Sequence, residues 1–481
     1  MQELLIAGQW RGAADGRDYA QTFPYTGEQV GTAAAASRTD ARAAVEAAHA
    51  AFQTWGTSSP GERRALLGKA ADLLQERAEE IAGTVTEETG GVFGWGMFNV
   101  ALAASMLREA AAQAYWVTGE VIPSDVPGKL AMALRQPCGV VVGIAPWNAP
   151  VILGTRSLAT PLAYGNTVVL KASEICPRTH AHIARALQDA GLPDGVVNFI
   201  TNQPSDAAEV VGELIEHPLT RRINFTGSSA VGRIIAEKAG RHLKRVLLEL
   251  GGKAPLIVLP DADLDQAAAA ATFGAFFHQG QICMSTERLI VDRRVAEPLA
   301  TKIVERAAAL PVGDPRESTT VIGPMINAAA LERIDGLVKD AVGHGATTLT
   351  GGEADGTVFP PTVLRGITPQ MRLYTEEVFG PLLSIIEVDS ADEAVRIAND
   401  TEYGLSAAVF TANVPAALEL AQRIESGICH INDTTVQDEP QMPFGGVKAS
   451  GFGRFGGRAA LEEFTELRWI SVQEQPRQYP I

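Results

Sequence analysis

The chain has 481 residues, of which 46% are hydrophobic and 20% charged, and it carries a formal net charge of −16. At roughly 100–200 residues per domain, this length predicts two to four domains with ample apolar material for a large core. The acidic balance argues against nucleic-acid binding, because a negative surface repels phosphate backbones.

The cysteines are few, and none belongs to a Cys-x-x-Cys pair or to a Cys/His cluster with zinc-like spacing. This pattern predicts neither a disulfide scaffold nor a metal site, and it is typical of reduced thiols in a cytoplasmic protein. No signal peptide is evident, and the most apolar tract, 266–277, is shorter than the roughly 20 residues of a membrane span. We therefore expect no contact with membranes. The four cysteines are Cys138, Cys176, Cys283 and Cys429.

The predicted elements begin with short strands, up to about residue 25, and continue with helices. One helix is predicted over Asp40–Trp55 with Asp40 as its N-cap, and a longer one over Gly61–Thr89. From residue 138 to residue 250, apolar strands alternate with helices. This alternation predicts βαβ units and a mostly parallel, doubly wound sheet, which binds ligands beyond the carboxyl ends of its strands. A second α/β region is expected from 251 to the 440s.

Two strand ends in the first region carry residues suited to a dinucleotide. After Phe225, the run Thr226-Gly-Ser-Ser-Ala-Val-Gly232 opens a helix whose N-terminus favours phosphate. Its Gly-x-x-x-x-Gly spacing differs from the Gly-x-Gly-x-x-Gly motif that is usual for dinucleotide binding. A strand–helix turn without a ligand is therefore an equal alternative. Lys171 and Glu174 lie at the end of another strand and are suited to bind the hydroxyl groups of a ribose. A carboxylate at this position would repel the 2′-phosphate of NADP⁺. The alternative is an ordinary ion pair on the surface.

Two further residues suit covalent chemistry. Glu249 ends an apolar strand, and apolar flanks raise the pKa of a carboxyl group into the range of a general base. A buried glutamate bonded to backbone is the alternative. Cys283 follows a Gly-Gln turn after an Ala-rich helix, and a thiolate is the best side-chain nucleophile near neutral pH. The other three cysteines are expected to be inert.

In combination and in order, these motifs resemble the aldehyde dehydrogenase superfamily along essentially the whole chain. Within it, the chain is most similar to bacterial aromatic-aldehyde dehydrogenases of the vanillin, salicylaldehyde and benzaldehyde type. The motifs are Pro146-Trp-Asn148, Lys171-Ala-Ser-Glu174, Phe225-Thr-Gly-Ser228, Leu248-Glu-Leu-Gly-Gly-Lys253, Gly280-Gln-Ile-Cys283, Glu376-Glu-Val-Phe-Gly-Pro381 and Pro443-Phe-Gly-Gly-Val-Lys-Ala-Ser-Gly451.

The resemblance implies oxidation of an aldehyde to a carboxylic acid through a thioester. Cys283 would be the nucleophile, Glu249 the base that activates the deacylating water, and Asn148 the side-chain half of the oxyanion hole. The cofactor would be NAD⁺, favoured by Glu174, with NADP⁺ possible, and no metal is expected. The implied cofactor contacts are Ile144, Ala145, Pro146, Trp147, Lys171, Ser173, Glu174, Gly227, Ser228, Leu250, Glu377 and Phe379.

The aromatic resemblance implies a pocket for a flat ring. Ala149 stands where many relatives carry phenylalanine, which leaves room beside Asn148. His278 stands where asparagine is commoner, and its role is open, a helix cap included. An ordinary core tryptophan is the alternative for Trp95, and a helix-surface arginine is the alternative for Arg156. The candidate pocket residues are Trp95, Phe98, Arg156, Met284 and Val436.

The implied architecture has three parts. A Rossmann-like cofactor domain spans 1–118 and 138–249, and an α/β catalytic domain spans 250–450. A small β oligomerisation extension combines 119–137 with the tail 451–481. Exposed strand edges there favour pairing with another subunit, so we expect a homodimer or homotetramer.

Other functions remain as alternatives. The first is an aliphatic-aldehyde or semialdehyde dehydrogenase of the same superfamily. Glu249 argues against a CoA-acylating member, because transfer to CoA needs no water-activating base. A cofactor-free cysteine hydrolase leaves Lys171 and Glu174 unexplained. The presence of Cys283 together with Glu249 argues against a non-catalytic structural homologue.

Overall fold

The structure, a computed structural model, describes all 481 residues and contains two large sheets with helices on their faces. Five neighbouring strands of the first sheet are parallel, and short antiparallel strands flank them at both edges. The parallel centre agrees with the predicted doubly wound sheet. In spatial order the strands are Gly451–Phe452, Arg245–Glu249, Thr220–Thr226, Val140–Ile144, Thr167–Lys171, Val197–Ile200, Leu4–Ile6 and Gln9–Arg11.

The register of the first sheet brings its functional loops together. Ile144 pairs with both Phe225 and Lys171, and Thr226 pairs with Glu249. Because these strands run parallel, the loops that follow them leave from one edge. The helices of this region are Arg38–Trp55, Pro60–Glu76, Ala78–Thr89, Phe93–Gln113, Pro150–Arg156, Ala159–Ala163, Pro177–Ala190, Ala207–Glu216 and Ser229–Arg241, with 3₁₀ turns Ala114–Trp116 and Pro204–Asp206.

The second sheet is also parallel except for one edge strand. Its spatial order is Thr347–Thr350, Thr362–Arg365, Leu382–Val388, Thr286–Asp292, Ala254–Val258, Ser406–Phe410 and Ile428–Ile431. The helices that accompany it are Leu264–Phe276, Arg293–Ala308, Ala328–Gly343, Arg372–Thr375, Ala391–Asn399 and Val414–Arg423, with the 3₁₀ turn Phe277–Gly280. The 3₁₀ turn Lys448–Ser450 and the helix Ala459–Phe464 follow in the chain, and this last helix packs in the hydrophobic cluster of the first region.

A small antiparallel sheet contains Thr465–Gln473, Lys129–Pro137 and Gly119–Ile122, and a separate hairpin pairs Asp18–Thr22 with Gln29–Ala34. On this arrangement we propose the three-part division given above, with boundaries at 118, 137, 249 and 450. One short strand of the tail, Gly451–Phe452, belongs to the first sheet, where it pairs with Arg245–Glu249. None of the helices combines the length and the apolar character that crossing a membrane requires.

Two sequence-based helix assignments need correction. The first helix begins at Arg38, and its N-cap is Ser37 rather than Asp40. Asp40 lies at the third helical position, where its carboxylate accepts the Ser37 backbone N–H at 2.9 Å while Ser37 Oγ accepts the Asp40 N–H. The helix predicted over 61–89 is interrupted at Arg77, whose backbone leaves the helical region (φ −100°, ψ 15°). Neither glycine nor proline marks that break in the sequence.

Candidate active site

A crevice of about 320 Å³ opens at the carboxyl edge of the first sheet, with further walls from the second region. It brings together the three predicted catalytic residues and seven of the predicted cofactor contacts. The predicted residues in its lining are Asn148, Glu249, Cys283, Pro146, Trp147, Gly227, Ser228, Leu250, Glu377 and Phe379.

Cys283 is half-buried and follows a strained turn. The helix Leu264–Phe276 is followed by a turn in which the backbones of His278 and Gln279 are left-handed, at φ 49° and 55°. Such conformations cost about 1–3 kcal/mol each in non-glycine residues and persist only where the surroundings hold them. The Gln279 side-chain amide donates to the backbone oxygens of Gly90 at 3.1 Å and Pro324 at 3.3 Å. The turn thereby brings Cys283 to the crevice.

Asn148 is buried in the loop after the strand Val140–Ile144, and its side chain is fixed to the cysteine loop. The Asn148 amide donates to the Gln281 carbonyl oxygen at 3.0 Å. An asparagine amide carries two hydrogens, and only this one has an acceptor within the protein. The other hydrogen is available to a ligand oxygen beside Cys283.

Glu249 is fully buried, and neither carboxyl oxygen has a hydrogen-bond partner within the protein. Burial raises the pKa of Glu249 from 4.5 to about 7, against smaller lowering effects of Arg156 and of the Cys283 thiol. An unpartnered buried carboxyl group is costly for folding and is characteristic of a functional role. A pKa near neutrality is suited to a general base. The alternative of a glutamate bonded to backbone does not describe this side chain.

Burial raises the pKa of the Cys283 thiol well above its ordinary value, and the negative charges of Glu249 and Glu377 raise it further. The positive charge of Arg156 acts in the opposite direction. Without a ligand the thiol is therefore protonated at neutral pH. The charge of the neighbouring Glu249 carboxyl group thus opposes loss of the thiol proton.

Glu377 and Phe379 form the opposite wall of the crevice. Glu377 Oε1 accepts the Gly252 backbone N–H at 2.8 Å, and burial raises the pKa of Glu377 to about 7, with repulsion by Glu287 as the next cause. Phe379 has a left-handed backbone (φ 49°), and its ring lies edge-on to Trp147 at 5.8 Å. These contacts place a carboxyl group and two aromatic rings around one space.

The remaining predicted cofactor contacts lie on neighbouring strand ends outside the crevice lining. Ile144, Ala145 and Ser173 are buried. Lys171 Nζ lies 3.0 Å from Glu174 Oε2, and the lysine side chain is only 6% exposed, so the pair is not an ordinary surface ion pair. Burial by itself would raise the pKa of Glu174, but the Lys171 charge, a backbone hydrogen bond and the hydrogen bond from Lys171 together outweigh burial, and the pKa is lowered. Glu174 is therefore ionised at neutral pH.

None of the five predicted pocket residues lines the crevice. Trp95 and Met284 are buried, whereas Phe98 is exposed and Val436 packs against the largest hydrophobic cluster together with Cys283. Arg156 is buried, pairs with Asp438 and lies 4.1 Å over the Phe444 ring, so it is not a surface arginine.

Four further residues line the crevice without having been predicted from the sequence: Leu153, Thr226, Gly251 and Arg333. Thr226 and Gly251 lie within motifs that the sequence does show, so their place in the site could have been predicted. Arg333 lies in the helix Ala328–Gly343, outside any motif, and donates to the backbone oxygens of Glu377 and Val378. No group of three or more His, Cys, Asp or Glu side chains is placed to hold a metal ion.

Comparisons with known proteins show the family to which this chain belongs. The aldehyde dehydrogenase family model matches residues 10–470. The chain belongs to the aldehyde dehydrogenase family. The predicted superfamily, its α/β fold and its class, an aldehyde-oxidising oxidoreductase, are thereby confirmed. Aldehyde dehydrogenases use a nicotinamide dinucleotide, NAD or NADP.

Individual relatives of this aldehyde dehydrogenase are similar over their full lengths. The vanillin dehydrogenase of Pseudomonas fluorescens is 56% identical over 478 residues, which cover 99% of each chain. A salicylaldehyde dehydrogenase from Pseudomonas putida G7, crystallised with salicylaldehyde, matches with a TM-score of 0.98 at 46% identity, covering 100% of this chain and 99% of its own. Betaine aldehyde dehydrogenase from Staphylococcus aureus, crystallised with NAD⁺, matches with a TM-score of 0.96 at 30% identity, covering 99% and 95%.

Proposed function

We propose that this enzyme oxidises an aromatic aldehyde to its carboxylic acid with NAD⁺, through a thioester on Cys283. The observation that carries the proposal is the single crevice in which Cys283, Asn148 and Glu249 meet the residues suited to a dinucleotide. Similarity to a vanillin dehydrogenase and to a salicylaldehyde-bound dehydrogenase supports the aromatic substrate.

The residues around the crevice fit a nicotinamide dinucleotide. Ser228 caps the helix Ser229–Arg241, whose N-terminus faces the crevice beside Gly227 and suits a phosphate. Glu377 and Phe379 on the opposite wall suit a ribose and a flat ring. The ionised Glu174 suits unphosphorylated ribose hydroxyls, so we infer a preference for NAD⁺ over NADP⁺. NAD⁺, when bound, accepts the two electrons and the hydrogen that leave the aldehyde carbon.

The first chemical steps are carried by Cys283 and Asn148. The Cys283 thiol gives up its proton to water as its sulfur attacks the aldehyde carbon, and negative charge develops on the aldehyde oxygen. The free N–H of the Asn148 amide and the Cys283 backbone N–H stabilise that charge. A preorganised donor of this kind typically contributes about 3 kcal/mol to transition-state stabilisation. Oxidation of the adduct leaves an acyl group on sulfur.

Hydrolysis of the thioester, the second half of the reaction, depends on Glu249. Its carboxylate removes a proton from water, the hydroxide attacks the thioester carbon, and the acid leaves as the thiol is restored. A buried carboxyl group with a pKa near 7 is ionised often enough at neutral pH and is basic enough to do this. Its lack of protein partners leaves both oxygens free for water.

Arg156 is the proposed polar contact for a ring substituent. It lies within electrostatic range of Glu249 and Cys283, since its charge lowers the pKa of both. Only one of its terminal nitrogens is paired with Asp438, and a guanidinium group carries five N–H donors. We infer that a free N–H reaches a hydroxyl group on the ring.

We also propose a homodimer or homotetramer. The strands of the small sheet expose large apolar side chains, including Trp469 at 76% and Val121 at 70%. An exposed apolar strand of this kind favours pairing with a second copy. Sedimentation of the purified enzyme measures the oligomeric state directly.

Specificity constants test the substrate class. The purified enzyme is assayed with benzaldehyde, ring-hydroxylated benzaldehydes and propanal, with NAD⁺, NADP⁺ or CoA, and both reduced cofactor and acid product are quantified. We expect kcat/KM to be at least tenfold higher for the aromatic aldehydes, with no requirement for CoA. A preference for propanal or for a semialdehyde would contradict the aromatic assignment but not the aldehyde dehydrogenase activity.

A further inference from the structure

Four residues around the cysteine loop form a closed ring of contacts. The Trp95 indole N–H donates to the Asn148 carbonyl oxygen at 3.0 Å. The Asn148 side-chain amide donates to the Gln281 carbonyl oxygen at 3.0 Å. The Gln281 N–H donates to the His278 carbonyl oxygen at 3.0 Å, and the His278 ring stacks on the Trp95 indole at 4.5 Å and 14°. The ring thus joins the Asn148 loop, the cysteine loop and the helix Phe93–Gln113.

Trp95 has little surface left for a substrate. It is 2% exposed, with His278 stacked on its indole and Phe98 stacked at 5.7 Å. Phe277 meets the indole edge-on at 5.1 Å. The polar edge of the indole is engaged with Asn148, and its apolar surface is covered by protein rings. These contacts favour a role inside the protein over that of a pocket wall.

His278 is buried, and neither ring nitrogen has a hydrogen-bond partner within the protein. Burial lowers its pKa to about 3, so the ring is neutral under ordinary conditions. It therefore places no charge beside the Asn148 amide, and its contribution is the flat ring itself. A cap for the preceding helix, the alternative considered from the sequence, is not its role, because neither ring nitrogen makes a hydrogen bond to that helix.

We propose that Trp95 and His278 are positioning residues, which hold the Asn148 amide at the place where the oxyanion forms beside Cys283. The inference rests on the proposed role of Asn148. Trp95 fixes the Asn148 backbone through its N–H, and the His278 ring fixes the indole. Without the indole N–H donor, the Asn148 backbone loses one of its fixed contacts, and its side-chain amide can shift. Misplacement of a catalytic group by about 1 Å can lower the rate about a hundredfold.

The variant Trp95→Phe tests this role, since it keeps an aromatic ring and removes the N–H donor. We expect kcat to fall tenfold to a hundredfold by the same factor for benzaldehyde and for propanal, with KM for NAD⁺ unchanged. A pocket wall would give a loss confined to aromatic aldehydes. Trp10→Phe is the matched control, because Trp10 also donates its N–H, to Gln188 at 2.8 Å, on an edge strand of the first sheet.

A double-mutant cycle shows whether Trp95 acts through Asn148. In an Asn148→Ala background, Trp95→Phe should cause no further loss of kcat. If the two residues contributed independently, the fold losses of the two single variants would multiply in the double variant. Multiplicative losses, or full activity of Trp95→Phe, would overturn the proposal. His278→Phe should retain more kcat than His278→Ala, because only the former keeps a ring on the indole; equal losses in both would also overturn it.

One measurement separates failure of this inference from failure of the proposed function. Alkylation by iodoacetamide requires the Cys283 thiolate and no oxyanion donor. We expect the alkylation rate to be equal in wild type and Trp95→Phe. Wild-type enzyme that stays active after Cys283 is alkylated would contradict the thioester mechanism itself. A changed alkylation rate in Trp95→Phe would assign Trp95 to the thiol instead of to Asn148.

Discussion

The backbone of Gly252 lies directly against the backbone oxygen of Cys283: a Cβ atom at position 252 would stand 2.2 Å from that oxygen. Gly252 lies between Arg245–Glu249 and Ala254–Val258, which belong to different sheets. The link between the two sheets therefore packs on the loop of the nucleophile. Only a residue without a side chain allows this approach.

Gly252→Ala should lower kcat at least tenfold, because the Cys283 loop must shift to admit a methyl group against a backbone atom. Steady-state kinetics with benzaldehyde measures the effect. Gly336→Ala is the control, because a Cβ atom there meets nothing within 4 Å and the position lies inside a helix. That control should keep full kcat and a slightly higher thermal midpoint. Wild-type kcat in Gly252→Ala would show that the loop is not held by this contact.

Cys283→Ala should abolish aldehyde oxidation, since no other thiol lines the crevice to form the thioester. Reduced cofactor formation over long incubation measures residual activity. Cys429→Ala is the matched control, because burial raises the pKa of that thiol to about 11 and it lies on a strand of the second sheet. We expect this control to be active, and activity in the Cys283 variant would refute the mechanism.

Glu249→Gln should stop turnover after the thioester has formed. Mixing the variant with NAD⁺ and benzaldehyde should release about one reduced cofactor per active site, followed by a slow steady state. In wild type, kcat should fall as the pH drops through about 7, where Glu249 becomes protonated and can no longer deprotonate water. An unchanged steady-state rate in the variant would reassign the base.

Glu249 should also make stability depend on pH. Its pKa is raised from 4.5 to about 7 on folding, so the folded state binds the proton more tightly and loses stability as the pH rises between those values. The shift corresponds to about 3 kcal/mol. Glu249→Gln should therefore raise the unfolding free energy at pH 8 and leave it unchanged at pH 4. Chemical denaturation at both pH values measures this, and a variant less stable at pH 8 would contradict it.

Glu174→Ala should shift cofactor preference towards NADP⁺. The substitution removes the carboxylate that would repel a 2′-phosphate. It also frees the buried Lys171, which in the wild type lies 3.0 Å from Glu174, to pair with that phosphate. We expect the ratio of kcat/KM for NADP⁺ to that for NAD⁺ to rise at least tenfold. Glu237→Ala, on an exposed helix face, is the control. An unchanged ratio would show that the 2′-hydroxyl of the cofactor ribose does not bind beside Glu174.

Much of this site was predictable because its residues sit in short motifs at strand ends. Glu249 follows an apolar strand, and Cys283 follows a turn, so both carry a local signal. Arg333 and Glu287 carry none. Glu287 accepts the backbone N–H groups of Val378 and Phe379 and pairs with Lys253 at 2.7 Å, contacts that join distant parts of the chain. No periodicity or motif in the sequence indicates such partners.

The chain order of strands and helices, together with the motifs at their ends, determined the fold class, the family and the reaction type. Local sequence can do this because strand alternation and motif chemistry depend on neighbouring residues. The tertiary structure alone decided that Glu249 has no protein partner, that Trp95 donates to Asn148, and that Arg156 is paired with Asp438. Burial, distance and charge between remote residues arise only when the two sheets pack, and they set the pKa values and positions on which catalysis depends.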